Sequence, residues 1–138
     1  MGVESPWGGP AATQDHPYKT RRGLARVQQA LINSAAGLRM AWRTESAFRQ
    51  ELVLAAVLLP LAVWLGRTWT ERAMLAGGVV LVLIVELLNT AIDYTVDRVS
   101  LERNDLSKSA KDLGSAAVLL ALLLCAAVWA AVLLPRWV

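Results

Sequence analysis

Three long apolar runs restrict the folds that are open to this chain. They cover residues 52–66, 73–92 and 113–134. The second and third contain 20 and 22 residues, and a helix of about 20 apolar residues crosses the hydrocarbon core of a bilayer. The first run is shorter and contains Pro60, but residues 47–48 lengthen it by a turn. We therefore predict an all-α membrane protein whose transmembrane helices cover about 50–67, 73–95 and 113–134.

Polar side chains interrupt the second apolar run at helical spacing. Glu86, Asn89, Asp93 and Asp97 follow one another at intervals of three, four and four residues, so they line one face of a helix. An ionised side chain inside a span costs about 2.5 kcal/mol or more, so this face is expected to meet a partner, a metal or water. The alternative is that Glu86 and Asn89 only form hydrogen bonds between helices.

Carboxylates in this pattern favour a hard cation. Mg²⁺ prefers carboxylate oxygens and takes its other ligands from water and substrate phosphates. Glu45, just before the first span, supplies a further carboxylate. The sequence has neither a G-x-x-x-x-G-K-[ST] nor a G-x-G-x-x-G motif, which excludes a P-loop and a protein-kinase type of nucleotide site.

The basic residues predict the orientation of the chain in the membrane. Seven lie within the first 51 residues and four between residues 98 and 111, against two in the loop at 67–72 and one near the C-terminus. The positive-inside rule then places the N-terminus and the second loop in the cytoplasm and the C-terminus outside. We therefore expect a multi-pass membrane protein. The net charge of +3 suits anionic lipid, and nothing in the sequence indicates nucleic-acid binding.

The segment before the first span divides into two parts. Residues 1–20 are rich in proline and glycine without periodicity, which predicts a disordered tail. Over residues 21–50, apolar side chains recur every three or four positions beside a set of arginines. This is the pattern of an amphipathic helix resting on a membrane surface. The alternative is a helix that packs only on protein.

Three sequence segments resemble the signature segments of one known family. They are ESAFRQE at residues 45–51, VELLNTAIDYTVD at 85–97 and AKDLGSAAV at 110–118. In this order, and combined with three spans, they are similar to the small prokaryotic diacylglycerol kinases, which are integral membrane enzymes unrelated to soluble kinases. The resemblance covers about residue 23 to the C-terminus.

The resemblance implies a fold and an activity. The fold is a homotrimer of three-span subunits, each with an N-terminal surface helix, and composite active sites between subunits. The activity is transfer of the ATP γ-phosphate to diacylglycerol, which gives phosphatidate, with Mg²⁺ as the cofactor. Residues 21–138 would form this domain.

Site residues follow by matching the motifs to the family. Glu86 would be the general base with Asn89 beside it, and Glu45 and Asp93 would hold Mg²⁺. The ATP-binding residues would be Arg26, Asn33, Glu45, Asp93, Asp97, Glu102, Arg103, Asn104, Lys111 and Asp112. The lipid-binding residues would be Arg26, Ala30, Leu31, Ile32, Asn33, Ser34, Ala35, Arg39, Met40, Ala41, Trp42, Ala47, Phe48, Arg49, Gln50, Glu51, Glu86 and Ser115.

This chain departs from the family pattern at three of these positions. Asp93 replaces a more common glutamate, Asn33 an aromatic residue and Asn104 a histidine. Two other functions stay open at this point. One is a kinase for a polyprenol such as undecaprenol, and the other is a small homo-oligomeric channel with Glu86 and Asn89 facing its axis.

Overall fold

The computed structural model describes residues 23–99 and 104–136 of the 138-residue chain. Within these ranges the regular structure is entirely helical. The helices are α1 (Leu24–Thr44), α2 (Ser46–Leu65), α3 (Trp69–Val99) and α4 (Asp105–Leu133), followed by a 3₁₀ turn at Leu134–Arg136. The predicted disordered tail, residues 1–20, lies outside the described residues.

The chain divides into two compact units, with the boundary between Gly37 and Leu38. The described part of the first unit is the start of α1. It begins at Gly23, whose φ of 70° lies in the left-handed region that glycine tolerates. Leu24, Val27 and Leu31 are exposed along this part of the helix. The proposed membrane-surface role of this segment stays a prediction.

A break at Glu45 separates α1 from α2. Its backbone is extended, with φ −103° and ψ 115°, although its N–H still donates to the carbonyl oxygen of Ala41 at 2.9 Å. The surface helix, expected over 21–50, therefore ends at Thr44, and residues 46–50 form the first turn of the next helix. The backbone carbonyl of Glu45 accepts from the N–H of Arg49 at 3.3 Å, which starts that turn.

Three helices are long and apolar enough to cross a membrane: Ser46–Leu65, Trp69–Arg98 and Asp105–Leu133. This confirms the prediction of three candidate spans. The first extends N-terminally beyond its apolar run, as expected. It also continues through Pro60 without a break, which apolar helices in membranes tolerate because neighbouring groups satisfy the freed carbonyl.

Helix α3 lies between the other two long helices, packing along both α2 and α4. The side chains buried at these contacts are small or apolar: Ala55, Ala62, Leu75, Val79, Val82 and Ala121. Small residues let helix backbones approach closely, which provides the packing that holds helices together in a membrane. A Cβ on Gly78, for example, would lie 3.4 Å from the sulfur of Cys125.

Large apolar side chains cover much of the outer surface of these helices. Leu120, Leu123 and Val53 are each more than half exposed. A soluble monomer rarely exposes so much contiguous apolar surface, whereas lipid tails accept it. The polar side chains of these helices lie mostly between the helices or near the helix ends.

Candidate active site

The polar face predicted on the second span is present on α3. Glu86 and Thr90 are nearly completely buried, at 5% and 6% exposure. Asn89 and Asp93 are half-buried, and Asp97 is exposed near the end of the helix. Thr90 was not predicted as part of this face. It lies one turn after Glu86, so the same spacing rule places it there.

Three other carboxylates act electrostatically on Glu86 or are acted on by it. Electrostatic repulsion acts between Glu86 and both Glu45 and Asp93, and also between Glu86 and Glu51. Glu45, Glu86 and Asp93, the three carboxylates that the sequence marked for catalysis and metal binding, thus lie within electrostatic range of Glu86, and their roles stay predictions. Because like charges repel, such a cluster persists only with a proton, a cation or water among its members.

The carboxylate of Glu45 is held by a residue that sequence reasoning missed. The hydroxyl of Tyr94 lies 2.8 Å from Glu45 Oε1 and 2.8 Å from Thr44 Oγ1. The Thr44 hydroxyl itself donates to the carbonyl of Met40 at 3.0 Å. A contact between residues 45 and 94 is tertiary, so no local pattern in the sequence could have indicated it.

Asn89 is packed tightly against α4. Its side-chain Oδ1 is buried and accepts no hydrogen bond within the described part of the chain. It lies against Gly114, where an added Cβ would collide with it. A buried amide oxygen without a partner is costly unless a ligand, water or another subunit satisfies it.

Lys111 crosses from α4 to α3. Its Nζ lies 2.7 Å from Asp97 Oδ1, and the negative charge of Asp93 also attracts it. Lys108, one turn earlier, pairs instead with Asp112 of its own helix at 2.7 Å. Of these two lysines, Lys111 therefore lies nearer the carboxylate cluster.

Three more of the residues predicted to bind ATP are Glu102, Arg103 and Asn104. Asn104 is the N-cap of α4, and its Oδ1 accepts from the N–H groups of Leu106 and Ser107 at 2.7 and 3.2 Å. Asparagine is a favoured N-cap. Glu102 and Arg103 lie outside the described residues.

Residues predicted to contact lipid near the start of α2 differ in exposure. Ala47, Gln50 and Ser115 are exposed, and Glu51 is half-buried with its Oε2 lacking a hydrogen-bond partner in the described structure. Phe48 is buried at 2% exposure, so its side chain packs inside the chain. Arg49 donates from Nη1 to the carbonyls of Trp42 and Arg43 at 3.2 and 3.4 Å.

The predicted lipid-contact residues on α1 are mostly exposed. In the second unit, Arg39, Met40 and Trp42 are exposed, whereas Ala41 is fully buried. In the first unit, Asn33 Oδ1 accepts from Gln29 Nε2 at 3.0 Å. The other predicted residues of that unit, each exposed on α1, are Arg26, Ala30, Leu31, Ile32, Ser34 and Ala35.

The carboxylates near Glu86 suit a cation that takes only some of its ligands from the protein. Across residues 23–99 and 104–136, no three histidine, cysteine, aspartate or glutamate side chains form a complete metal site. Mg²⁺ is usually bound through one or two carboxylates plus phosphates and waters. Glu45 and Asp93 are the two carboxylates that could supply such ligands, whereas the described residues contain no set of three or four nitrogen or sulfur ligands for Zn²⁺.

Sequence comparison identifies relatives of the chain. The family described as prokaryotic diacylglycerol kinase matches residues 32–133. A protein named diacylglycerol kinase from Pseudomonas aeruginosa is 51% identical over 118 residues, which cover 86% of this chain and 96% of the relative. Proteins of the same name from Haemophilus influenzae and Escherichia coli K12 are 43% identical over 116 residues and 45% identical over 107 residues. These alignments cover 84% and 78% of this chain, and 98% and 88% of the relatives. The chain belongs to the prokaryotic diacylglycerol kinase family.

Proposed function

We propose that the protein transfers the γ-phosphoryl group of ATP to diacylglycerol, giving phosphatidate and ADP. One observation carries the proposal: a chain that matches the kinase family over residues 32–133 holds a buried glutamate, Glu86, on α3 within electrostatic range of Glu45 and Asp93. Catalysis of phosphoryl transfer consists largely of positioning and charge stabilisation, and a carboxylate cluster beside a lysine suits both.

In this mechanism Glu86 is the general base. The lipid hydroxyl oxygen attacks the γ-phosphorus, the bond from that phosphorus to the β–γ bridging oxygen breaks, and ADP leaves with the bonding electrons. The hydroxyl proton passes to Glu86, which is buried at 5% exposure and so shielded from competing water. Asn89 lies one turn from Glu86 on the same helix, and its amide N–H group would donate to the hydroxyl oxygen and so orient it.

Glu45 and Asp93 would hold Mg²⁺ together with the ATP phosphates. The bound cation would neutralise the charge that develops on the transferring phosphoryl group. Asp93 has a shorter side chain than the glutamate common in the family, so it would hold the cation by a shorter arm from α3. The other proposed ATP contacts are Arg26, Asn33, Asp97, Glu102, Arg103, Asn104, Lys111 and Asp112.

Lys111 is proposed to contact the phosphates directly. Its partner in the chain is Asp97 at 2.7 Å, and a phosphate oxygen is a strong competing acceptor for an ammonium group. Asp97 would then hold Lys111 in reach of the nucleotide before it binds.

The lipid is proposed to approach from the membrane side. It would contact residues 30–35 and 39–42 of α1, residues 47–51 of α2, and Ser115 of α4. The apolar outer surface of α2 and α4 supports lateral entry because it can share the acyl-chain layer with the substrate.

The assembly and membrane topology are also proposed. We infer a homotrimer in the bacterial inner membrane, with α1 on the cytoplasmic surface, the N-terminus in the cytoplasm and the C-terminus outside. The excess of basic residues before residue 52 and between residues 98 and 111 supports this orientation.

A labelled-phosphate assay tests the proposal. Purified protein in mixed micelles receives γ-labelled ATP, Mg²⁺ and either diacylglycerol or undecaprenol at matched surface concentration. We expect label in phosphatidate, and none when Mg²⁺ is chelated. A higher kcat/KM for the polyprenol would assign the chain to that substrate, and ion flux in liposomes without ATP turnover would support a channel.

A further inference from the structure

Tyr94 has a contact that its place in the sequence does not explain. It follows Asp93 on α3 and is about 40% exposed, so it lies beside the polar face and not within it. Its hydroxyl nevertheless reaches the junction between α1 and α2, 2.8 Å from Glu45 Oε1. The contact joins positions 49 residues apart in the chain.

The geometry makes the Tyr94 hydroxyl the donor to Glu45. A carboxylate only accepts hydrogen bonds, whereas the Thr44 hydroxyl can donate elsewhere and does so to the Met40 carbonyl. The single phenolic proton is therefore best placed on Glu45 Oε1, because a hydrogen bond to an ionised acceptor is about twice as strong as a neutral one.

No other group within the described residues donates a hydrogen bond to this carboxylate. Glu45 is the N-cap residue of α2, but its side chain makes no capping hydrogen bond. Its backbone is extended at a break between two helices, so the side chain is not fixed by a continuous helical frame. Tyr94 alone of the described residues holds the Glu45 carboxylate by a hydrogen bond.

We propose that Tyr94 is a positioning residue for the Glu45 carboxylate, holding Oε1 so that Oε2 is presented to the cation of the bound nucleotide. This inference rests on the proposed metal-binding role of Glu45. It adds a residue that acts on the cation through another side chain and touches neither ATP nor lipid. Outer hydrogen bonds of this kind orient the carboxylates that ligate metals.

A merely structural role is the competing explanation. Tyr94 also contacts Thr44 at 2.8 Å, so it could simply hold the α1–α2 junction against α3. The two roles differ in what they change: a positioning residue alters cation affinity at constant stability, whereas a structural latch alters stability first.

The test compares Tyr94→Phe with Thr95→Val in the full-length protein in micelles. The first removes only the hydroxyl that reaches Glu45. The second removes a neighbouring hydroxyl that bonds to the Ala91 carbonyl of its own helix at 2.7 Å. Mn²⁺ binding is followed by electron paramagnetic resonance in the presence of a non-hydrolysable ATP analogue, and thermal unfolding is recorded for each variant.

We expect Tyr94→Phe to weaken Mn²⁺ binding by about 10-fold or more, the usual effect of losing an outer-shell partner. The apparent Mg²⁺ requirement for activity should rise in parallel, while kcat at saturating Mg²⁺ and the unfolding temperature stay close to those of Thr95→Val. In a Glu45→Gln background, adding Tyr94→Phe should weaken Mn²⁺ binding no further, because the two changes act on one interaction.

The outcomes separate this inference from the one on which it rests. If Glu45→Gln weakens Mn²⁺ binding and Tyr94→Phe does not, the positioning role is wrong and the metal role of Glu45 stands. A lower unfolding temperature with unchanged Mn²⁺ affinity would identify Tyr94 as a latch. Unchanged Mn²⁺ binding in Glu45→Gln would overturn both assignments.

Discussion

The amide oxygen of Asn89 on α3 lies against Gly114 on α4, in the space that a Cβ at that position would need. Gly114 is itself buried. The glycine of the AKDLGSAAV segment therefore allows α4 to approach the polar face of α3, and this approach excludes water from the side of Asn89. Both the packing of α4 on α3 and the position of Asn89 therefore depend on the lack of a side chain at Gly114.

Gly114→Ala should displace Asn89 and lower activity. An added methyl in a tightly packed contact costs about 1–3 kcal/mol, and a small misplacement of a catalytic group can lower turnover by about 100-fold. Gly77→Ala is the matched control, because a Cβ there meets nothing within 4 Å among the described residues. Steady-state kinetics and thermal unfolding are measured for both variants. Equal losses of activity in Gly114→Ala and Gly77→Ala would contradict the role of Gly114.

Glu86→Gln should keep the shape of the site and remove its base. The expected loss in kcat is about 100-fold or more, the usual scale for a general base, with little change in the KM for ATP. Asp93→Asn should act differently, because Asp93 is a proposed cation ligand: the apparent Mg²⁺ affinity should fall, and excess Mg²⁺ or Mn²⁺ should restore part of the rate.

Kinetics at varied Mg²⁺ distinguish these two variants. Near wild-type turnover in Glu86→Gln would leave that glutamate as a buried hydrogen-bonding group between helices. A Mg²⁺ dependence unchanged in Asp93→Asn would remove Asp93 from the cation site.

Lys111→Ala should weaken the use of ATP more than Lys108→Ala does. Both lysines lie on α4 and form 2.7 Å ion pairs, but only Lys111 reaches across to α3. Loss of a charged contact to phosphate costs about 1.5–3 kcal/mol, or roughly 10- to 100-fold in kcat/KM for ATP. The Lys108 pair is exposed and within one helix, so its loss should change the rate by less than about threefold. Equal losses for the two variants would argue against a phosphate contact of Lys111.

Much of this arrangement could be predicted from the sequence. Long apolar runs predict helices that can span a membrane, and the spacing of Glu86, Asn89 and Asp93 predicts their shared face because helical periodicity is a local property. The break at Glu45 was not predicted, since the apolar pattern of α1 continues toward α2 without a proline or glycine at the junction. Tyr94 was missed because its partner is distant in the chain.

Burial within a membrane protein was also difficult to predict. Phe48 and Ala41 were predicted to contact the lipid substrate, and both side chains are buried in the chain. Apolar side chains that face lipid and those that face other helices have the same composition, so hydropathy alone does not separate them.

Mixing variants tests how subunits share the site. The family resemblance implies composite sites between subunits, whereas repulsion of Glu86 by Glu45 and Asp93 of the same chain shows that one chain holds all three carboxylates within electrostatic range. If one chain supplies all three to a site, no activity returns when Glu86→Gln and Asp93→Asn subunits are dissociated, mixed and reassembled.

Controls for the mixing experiment use wild-type subunits with each variant. Activity should then rise in proportion to the wild-type fraction, because each wild-type chain carries its own set of carboxylates. Cross-linking of the mixed sample verifies that subunits have exchanged and whether the assembly is a trimer. The mixture of the two variants could also be more active than the two variants measured separately and added together. Glu86 and Asp93 of one site would then come from different chains, because only a site shared between subunits can contain both residues intact.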